Sequence, residues 1–208
     1  MNKKAWQILV MGVSGSGKTS VGKALAKVLA CDFIDADDYH LPEAKAMMAA
    51  GTPLTDKERE PWLFTLCELL SQYSQQNKSV VLAVSGLKRQ YRIQLKAACT
   101  HNTSFLLNVS AEELRARIKQ RNNHFFPSAL LDSQILTLET PMPEEGIQLL
   151  DGHQSVKSLV NILCLLFINC SRVLLFNPFP VQIKKGISLI VSVNCLASCP
   201  SPLITSSP

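Results

Sequence analysis

Gly12-Val13-Ser14-Gly15-Ser16-Gly17-Lys18-Thr19 decides the fold of this 208-residue chain. The octapeptide satisfies G-x-x-x-x-G-K-[ST] in full, and both flanks have the character that the motif requires. Before it, the apolar run Ile8-Leu9-Val10-Met11 predicts a buried strand over Gln7–Met11. After it, Val21, Leu25, Val28 and Leu29 recur at helical spacing and predict a helix over Lys18–Leu29. A phosphate is held by backbone N–H groups that converge on it, and glycines let the chain turn tightly enough to supply them. The following helix adds its positive N-terminal end. In such a loop Lys18 reaches the β- and γ-phosphates of a nucleotide, and the Thr19 hydroxyl ligates Mg²⁺. Residues Gly12 to Thr19 are therefore assigned to a nucleoside triphosphate.

Outward from the loop, strand and helix alternate to about residue 168, the pattern of a mainly parallel α/β sheet. Strands are expected at Asp32–Asp35, Ser79–Val84, Ser104–Val109 and Ile147–Leu150, giving five with the first. Helices are expected at Pro42–Ala50, Pro61–Gln75, Leu87–Ala98, Ala111–Arg121 and Ser155–Phe167, with Ser110 as an N-cap. Asn122–Pro143 reads as a mobile insertion. Residues 169–208 hold five of the eleven prolines and no acid, so a poorly ordered tail is expected after a domain spanning 1–168.

The formal net charge of +5 does not point to nucleic acid. All sixteen acidic residues lie at or before Asp151, and the surplus comes from Lys157, Arg172, Lys184 and Lys185. Arg172 and Pro178 interrupt the apolar run Leu159–Phe179, so no membrane span is expected. Met1-Asn2-Lys3-Lys4 leads straight into the first strand. With seven cysteines and no C-x-x-C pair, the chain reads as a cytoplasmic protein with reduced thiols.

Polar clusters follow the predicted strands, where an open α/β sheet gathers its ligands. Asp35 and Asp37 are expected to point together toward the γ-phosphate. One would hold Mg²⁺ through water and the other would orient or deprotonate an acceptor hydroxyl. Lys88 and Arg92 are four apart and are expected to share a helix face suited to an anionic substrate. Arg117 and Arg121 repeat that spacing before the insertion, where an arginine could close over the triphosphate. His124 reads equally as a structural residue or a ligand contact, and Trp62 reads as packing.

Several of these motifs, in order and spacing, resemble the gluconokinases. They are Gly12–Thr19, Asp35-Ala36-Asp37-Asp38-Tyr39-His40, and Pro53-Leu54-Thr55-Asp56 with Arg59-Glu60-Pro61-Trp62-Leu63. Leu87-Lys88 with Tyr91-Arg92, His124-Phe125-Phe126 with Leu130-Leu131-Asp132-Ser133-Gln134, and Thr137-Leu138-Glu139-Thr140-Pro141 complete the match over residues 5–168. The resemblance implies a three-layer α/β/α P-loop kinase with a helical acceptor-binding region and a lid at about 122–143. It implies ATP-dependent phosphorylation of the 6-hydroxyl of D-gluconate, with Mg²⁺, in a homodimer. By the same resemblance Lys18, Asp37 and Arg121 are catalytic. Arg117 and Arg121 join the loop at the nucleotide, and Asp37, His40, Arg59, Lys88, Arg92 and His124 meet the sugar acid. Thr19 and Asp35 serve the metal. The chain departs from the family at Ala44 and Met47, where Asn and Lys are usual, at Gly86, usually Ala, and at Asn123, usually Gly. Another small-molecule kinase of the same fold, or an ATP-binding form impaired by its C-terminus, are the alternatives.

Overall fold

The computed structural model describes residues 4–120 and 127–172. The chain divides into two units, Met1–Phe176 and Asn177–Pro208, and the described residues belong to the first. Arg121, Asn123, His124 and the expected tail beyond Arg172 lie outside the described residues.

Five parallel strands form one sheet in the order β2-β3-β1-β4-β5: β1 (Gln7–Met11), β2 (Asp32–Asp35), β3 (Val80–Val84), β4 (Asn102–Asn108) and β5 (Ile147–Asp151). All five residues of β1 and all five of β3 are buried, which is why they read as unbroken apolar runs. The two-residue alternation of β1 divides its side chains between two cores. Ile8 and Val10 pack with Val21 and Leu25 of α1 (Lys18–Leu29) and with Leu159 and Leu163 of α7 (Val156–Arg172). Leu9 and Met11 face Trp62, Leu66 and Leu70 of α3 (Asp56–Gln75), together with Leu95 of α4 (Arg89–Ala97). The observed layers are therefore helix, sheet and helix, with the phosphate loop growing from the central strand.

β1, α1 and β2 begin and end where the sequence places them. Elsewhere tertiary contacts move the boundaries. α2 covers Pro42–Ala49, and α5 covers Ala111–Lys119 under its Ser110 cap. α3 begins at Asp56, five residues ahead of the expected start at Pro61. Its true start is a capping box: the Glu58 carboxylate takes the Thr55 N–H at 2.6 Å, and the Thr55 hydroxyl takes the Glu58 N–H at 3.4 Å. α4 begins two residues later than expected, at Arg89. The insertion contains a helix that periodicity did not predict, α6 (Ser128–Thr137). Its Leu131 is buried against Val13, Leu87 and Leu114, so packing rather than a self-evident apolar stripe holds it. α7 runs to Arg172, past the expected end of the helix at Phe167.

Candidate active site

The loop after β1 is built of backbone. Gly12 takes φ +144°, and a Cβ there would stand 2.6 Å from Ser16 Oγ and 3.1 Å from the Leu107 carbonyl oxygen. No side chain fits, so glycine is required for the chain to close on itself. Lys18 is buried, and its ammonium donates to the Val13 carbonyl at 3.2 Å, folded back over the loop. Ser16 Oγ is buried and has no hydrogen-bond partner among the described residues. A narrow turn with a lysine across it and an orphaned hydroxyl inside it fits a bound phosphate chain.

Beside the loop, the Thr19 hydroxyl donates to Asp35 Oδ2 at 2.8 Å. Asp35 also caps the 3₁₀ turn Ala36–Tyr39, accepting the Asp37 N–H on Oδ1 at 3.2 Å. That turn corrects the expectation of two carboxylates aligned by strand alternation: the strand ends at Asp35. Asp35 turns to Thr19, and Asp37 lines a separate cavity. A hydroxyl with one adjacent carboxylate fits Mg²⁺, an ion that keeps waters and phosphate oxygens and needs few protein ligands. Among the described residues no group of three or more His, Cys, Asp or Glu gathers for a metal.

The cavity has a volume of about 210 Å³, and Ser14 and Lys18 of the loop line it together with Asp37, His40 and Arg59. The His40 ring stacks on Trp62 with centroids 4.5 Å apart and planes 8° from parallel. The Trp62 indole N–H donates to the Ala36 carbonyl at 2.7 Å, which fixes the pair beneath the 3₁₀ turn. Burial pushes the His40 imidazole below its usual range, and outweighs the opposing pull of Asp37. His40 therefore presents a neutral ring, able to meet a hydroxyl. Of the family departures, Ala44 is buried within α2, and neither it nor Met47 lines the cavity; Met48 does.

Lys88 and Arg92 do not share a face. Lys88 precedes α4 in extended backbone, and its ammonium bonds both oxygens of Asp56 at 2.7 Å. The Tyr91 hydroxyl donates to the same carboxylate, and Arg59 lies 5.8 Å over the Tyr91 ring. The Lys88 hydrogen bond first, and that of Tyr91 next, hold Asp56 below the usual carboxylate range. This cluster stands beside the cavity, and only Arg59 of its members lines it. Arg92 points inward and is fully buried. Its guanidinium grips both oxygens of Glu145 at 2.7 and 2.8 Å and donates to the carbonyls of Gly86, Leu87 and Glu139. It is thus withdrawn from the substrate-facing role that its spacing predicts. Arg117 is held by Glu113 at 2.8 Å and by the Gly152 carbonyl at 3.0 Å, at the loop between β5 and α7 and away from the cavity.

Two features escaped the sequence reading. Asp56 and Tyr91 form the anchor of Lys88, a pairing across 32 residues that no spacing announces. Gln134 accepts the Ser14 N–H on Oε1 at 2.8 Å. Its only sequence signal was membership of the run Leu130-Leu131-Asp132-Ser133-Gln134, to which no role attached. No helix among the described residues is long and apolar enough to cross a membrane.

Residues 14–142 match the shikimate kinase family. The chain is 43% identical over 169 residues to a probable gluconokinase of Xenopus tropicalis, covering 74% of this chain and 89% of that one. It is 38% identical over 154 residues to the gluconokinase of Gluconobacter oxydans (strain 621H), covering 74% and 86%. Among solved structures, a gluconokinase from Sinorhizobium meliloti 1021 aligns with a TM-score of 0.74 at 36% identity, over 83% of this chain and 97% of that one.

Proposed function

This chain belongs to the gluconokinases of the shikimate kinase family, and on that premise we propose that it transfers the γ-phosphoryl group of ATP to the 6-hydroxyl of D-gluconate, giving 6-phosphogluconate. It is a phosphotransferase. One observation carries the acceptor assignment: the phosphate loop and the acceptor cavity share a wall. Ser14 and Lys18 line the same space as Asp37, His40 and Arg59.

In this reading Gly12 to Thr19 bind the triphosphate, and the Lys18 ammonium balances charge on the transferring group. Asp37, which lines the cavity with Ser14 and Lys18, orients the acceptor hydroxyl and takes its proton. The Arg59 guanidinium meets the carboxylate of the sugar acid, and neutral His40 meets a hydroxyl. Thr19 and Asp35 hold Mg²⁺, which when bound neutralises charge between the phosphate oxygens. Lys88 guards the rim of the acceptor region through Asp56. Arg121 supplies the lid cation and His124 the lid's contact with substrate, while Arg117 braces the β5–α7 loop on the nucleotide side. Arg92 we read as a positioning residue. The working enzyme is a cytoplasmic homodimer whose kinase body lies within 1–168, and sedimentation of the purified chain tests the dimer.

The deciding experiment is an assay of ADP release with Mg²⁺–ATP and D-gluconate, run beside Asp37→Asn. Gluconate-dependent release is expected, falling by about 10²–10⁴-fold in Asp37→Asn while ATP binding persists. Release that ignores gluconate, or an Asp37→Asn enzyme with full turnover, would overturn the reading.

A further inference from the structure

α6 is held to the rest of the molecule by apolar packing, by the chain that leaves it and by polar side chains. Its buried Leu131 packs on Val13 of the phosphate loop and on Leu87 of the acceptor wall. The chain leaving it is tied to that same wall, since the Glu139 N–H donates to the Leu87 carbonyl at 2.8 Å and Arg92 donates to the Glu139 carbonyl at 3.0 Å. Two polar side chains complete the set: Asp132 accepts from the Arg115 guanidinium of α5 at 2.8 and 3.2 Å on the exposed side, and on the loop side the Ser14 N–H donates to Gln134 Oε1 at 2.8 Å. A backbone N–H is a donor only, so the carboxamide oxygen must face Ser14. Its nitrogen then belongs to the other side of the amide, and Gln134 lines the acceptor cavity together with Ser14 and Lys18.

Apolar contacts such as those of Leu131 fix how close a helix lies but carry no direction. A hydrogen bond weakens steeply with angle and length, so while Arg115 ties α6 to α5, the Gln134 bond sets how α6 and the Ser14 peptide of the loop are oriented to one another. We propose that Gln134 is a positioning residue for phosphoryl transfer: its carboxamide fastens α6 to the third residue of the phosphate loop, so that covering the acceptor cavity and setting the loop are one event. The inference rests on the kinase reading above. Without the bond, α6 covers the cavity loosely and water reaches the γ-phosphorus. The bond between that phosphorus and the bridging oxygen of ADP then breaks as a water oxygen, rather than the sugar hydroxyl, forms the new bond. Inorganic phosphate and ADP result, and the water proton passes to solvent.

The test uses Gln134→Met, which keeps length and volume and deletes the acceptor, beside Gln134→Asn, whose amide is one methylene too short to reach. Both ADP and phosphorylated sugar acid are measured. The wild type is expected to form them in equal amounts. In Gln134→Met the turnover number is expected to fall at least tenfold, with KM for gluconate changed less than threefold and ADP exceeding sugar phosphate by twofold or more. A second readout does not depend on the acceptor. A non-hydrolysable ATP analogue is expected to slow amide exchange across residues 128–137 in the wild type, and at least tenfold less in Gln134→Met. Equal product ratios together with equal protection of α6 in wild type and variants would overturn the proposal. Wild-type protein that ignores gluconate while the analogue still protects α6 through Gln134 would overturn the acceptor reading instead. Should Gln134→Met fail to fold, Gln134→Asn carries the same measurements.

Discussion

The phosphate loop and the acceptor wall at the end of β3 stand side by side, yet they are built on opposite plans. The loop is backbone: eight consecutive residues, three glycines and a lysine folded back on its own turn. The wall is side chains drawn from distant segments, with Lys88 anchored to Asp56 and Arg92 to Glu145. A site made of consecutive backbone tolerates change in its surroundings, whereas a wall made of remote partners fails when any one partner goes. Loop variants should therefore lose chemistry and keep the fold, and wall variants should lose the fold first.

The largest expected effect falls on the wall. Arg92→Met leaves the Glu145 carboxylate buried without its partner, and is expected to lower stability by about 3–5 kcal/mol. A thermal melt should then drop by on the order of 10 °C. Lys18→Met is the matching change in the loop. It is expected to cost about 10²–10³-fold in turnover, as removal of one charge-stabilising donor does, while the melting temperature moves little. An Arg92→Met protein as stable as the wild type would break the comparison.

Acid sharpens it. The Arg92 hydrogen bond holds Glu145 below its ordinary 4.5, and burial holds His40 below its ordinary 6.5. In both cases the unfolded chain binds the proton more readily than the folded one, so stability falls as pH falls. The His40 contribution is present above about pH 6.5 and is lost below it, and that of Glu145 is present above about pH 4.5 and lost below it. Urea melts across pH 7 to 4 should show two successive losses, and Glu145→Gln should shrink the lower one, to which Asp56, Glu58 and Asp151 also contribute, while lowering stability at pH 7. Smallest is Gly86→Ala, at the turn between β3 and the wall. Gly86 has φ +55°, and an added Cβ would meet Met11 Sδ at 2.7 Å. A loss of about 1 kcal/mol is expected from the backbone alone, read from the denaturation midpoint.

What was legible in the sequence follows the same division. Gly12 to Thr19 and the elements around it could be read because their partners are neighbours in the chain, so strand, turn and helix each leave a local mark. Lys88 and Arg92 invited an i, i+4 reading that fails, since α4 starts after Lys88 and Arg92 turns inward to partners at 139 and 145. The start of α3 was obscured by Pro61, which suits a first turn but here sits in the second, behind a capping box at Thr55. α6 was hidden because its buried Leu131 answers to Val13, Leu87 and Leu114 rather than to a stripe along its own helix. Asp35 and Asp37 stand out in the sequence as a pair, but a 3₁₀ turn separates the two carboxylates that strand geometry would have paired.

β1 lies at the middle of the sheet, hydrogen-bonded on both edges from Gln7 to Met11 and covered on both faces. In the language of hydrogen exchange, its amides belong to the last unit to open, reached only when the whole domain unfolds. The phosphate loop is thus moored to the strand expected to exchange slowest, while the exposed Asp56–Lys88 contact is expected to open earlier. On that expectation the molecule carries a stationary jaw and a working one, with local unfolding reaching the acceptor wall before the phosphate seat.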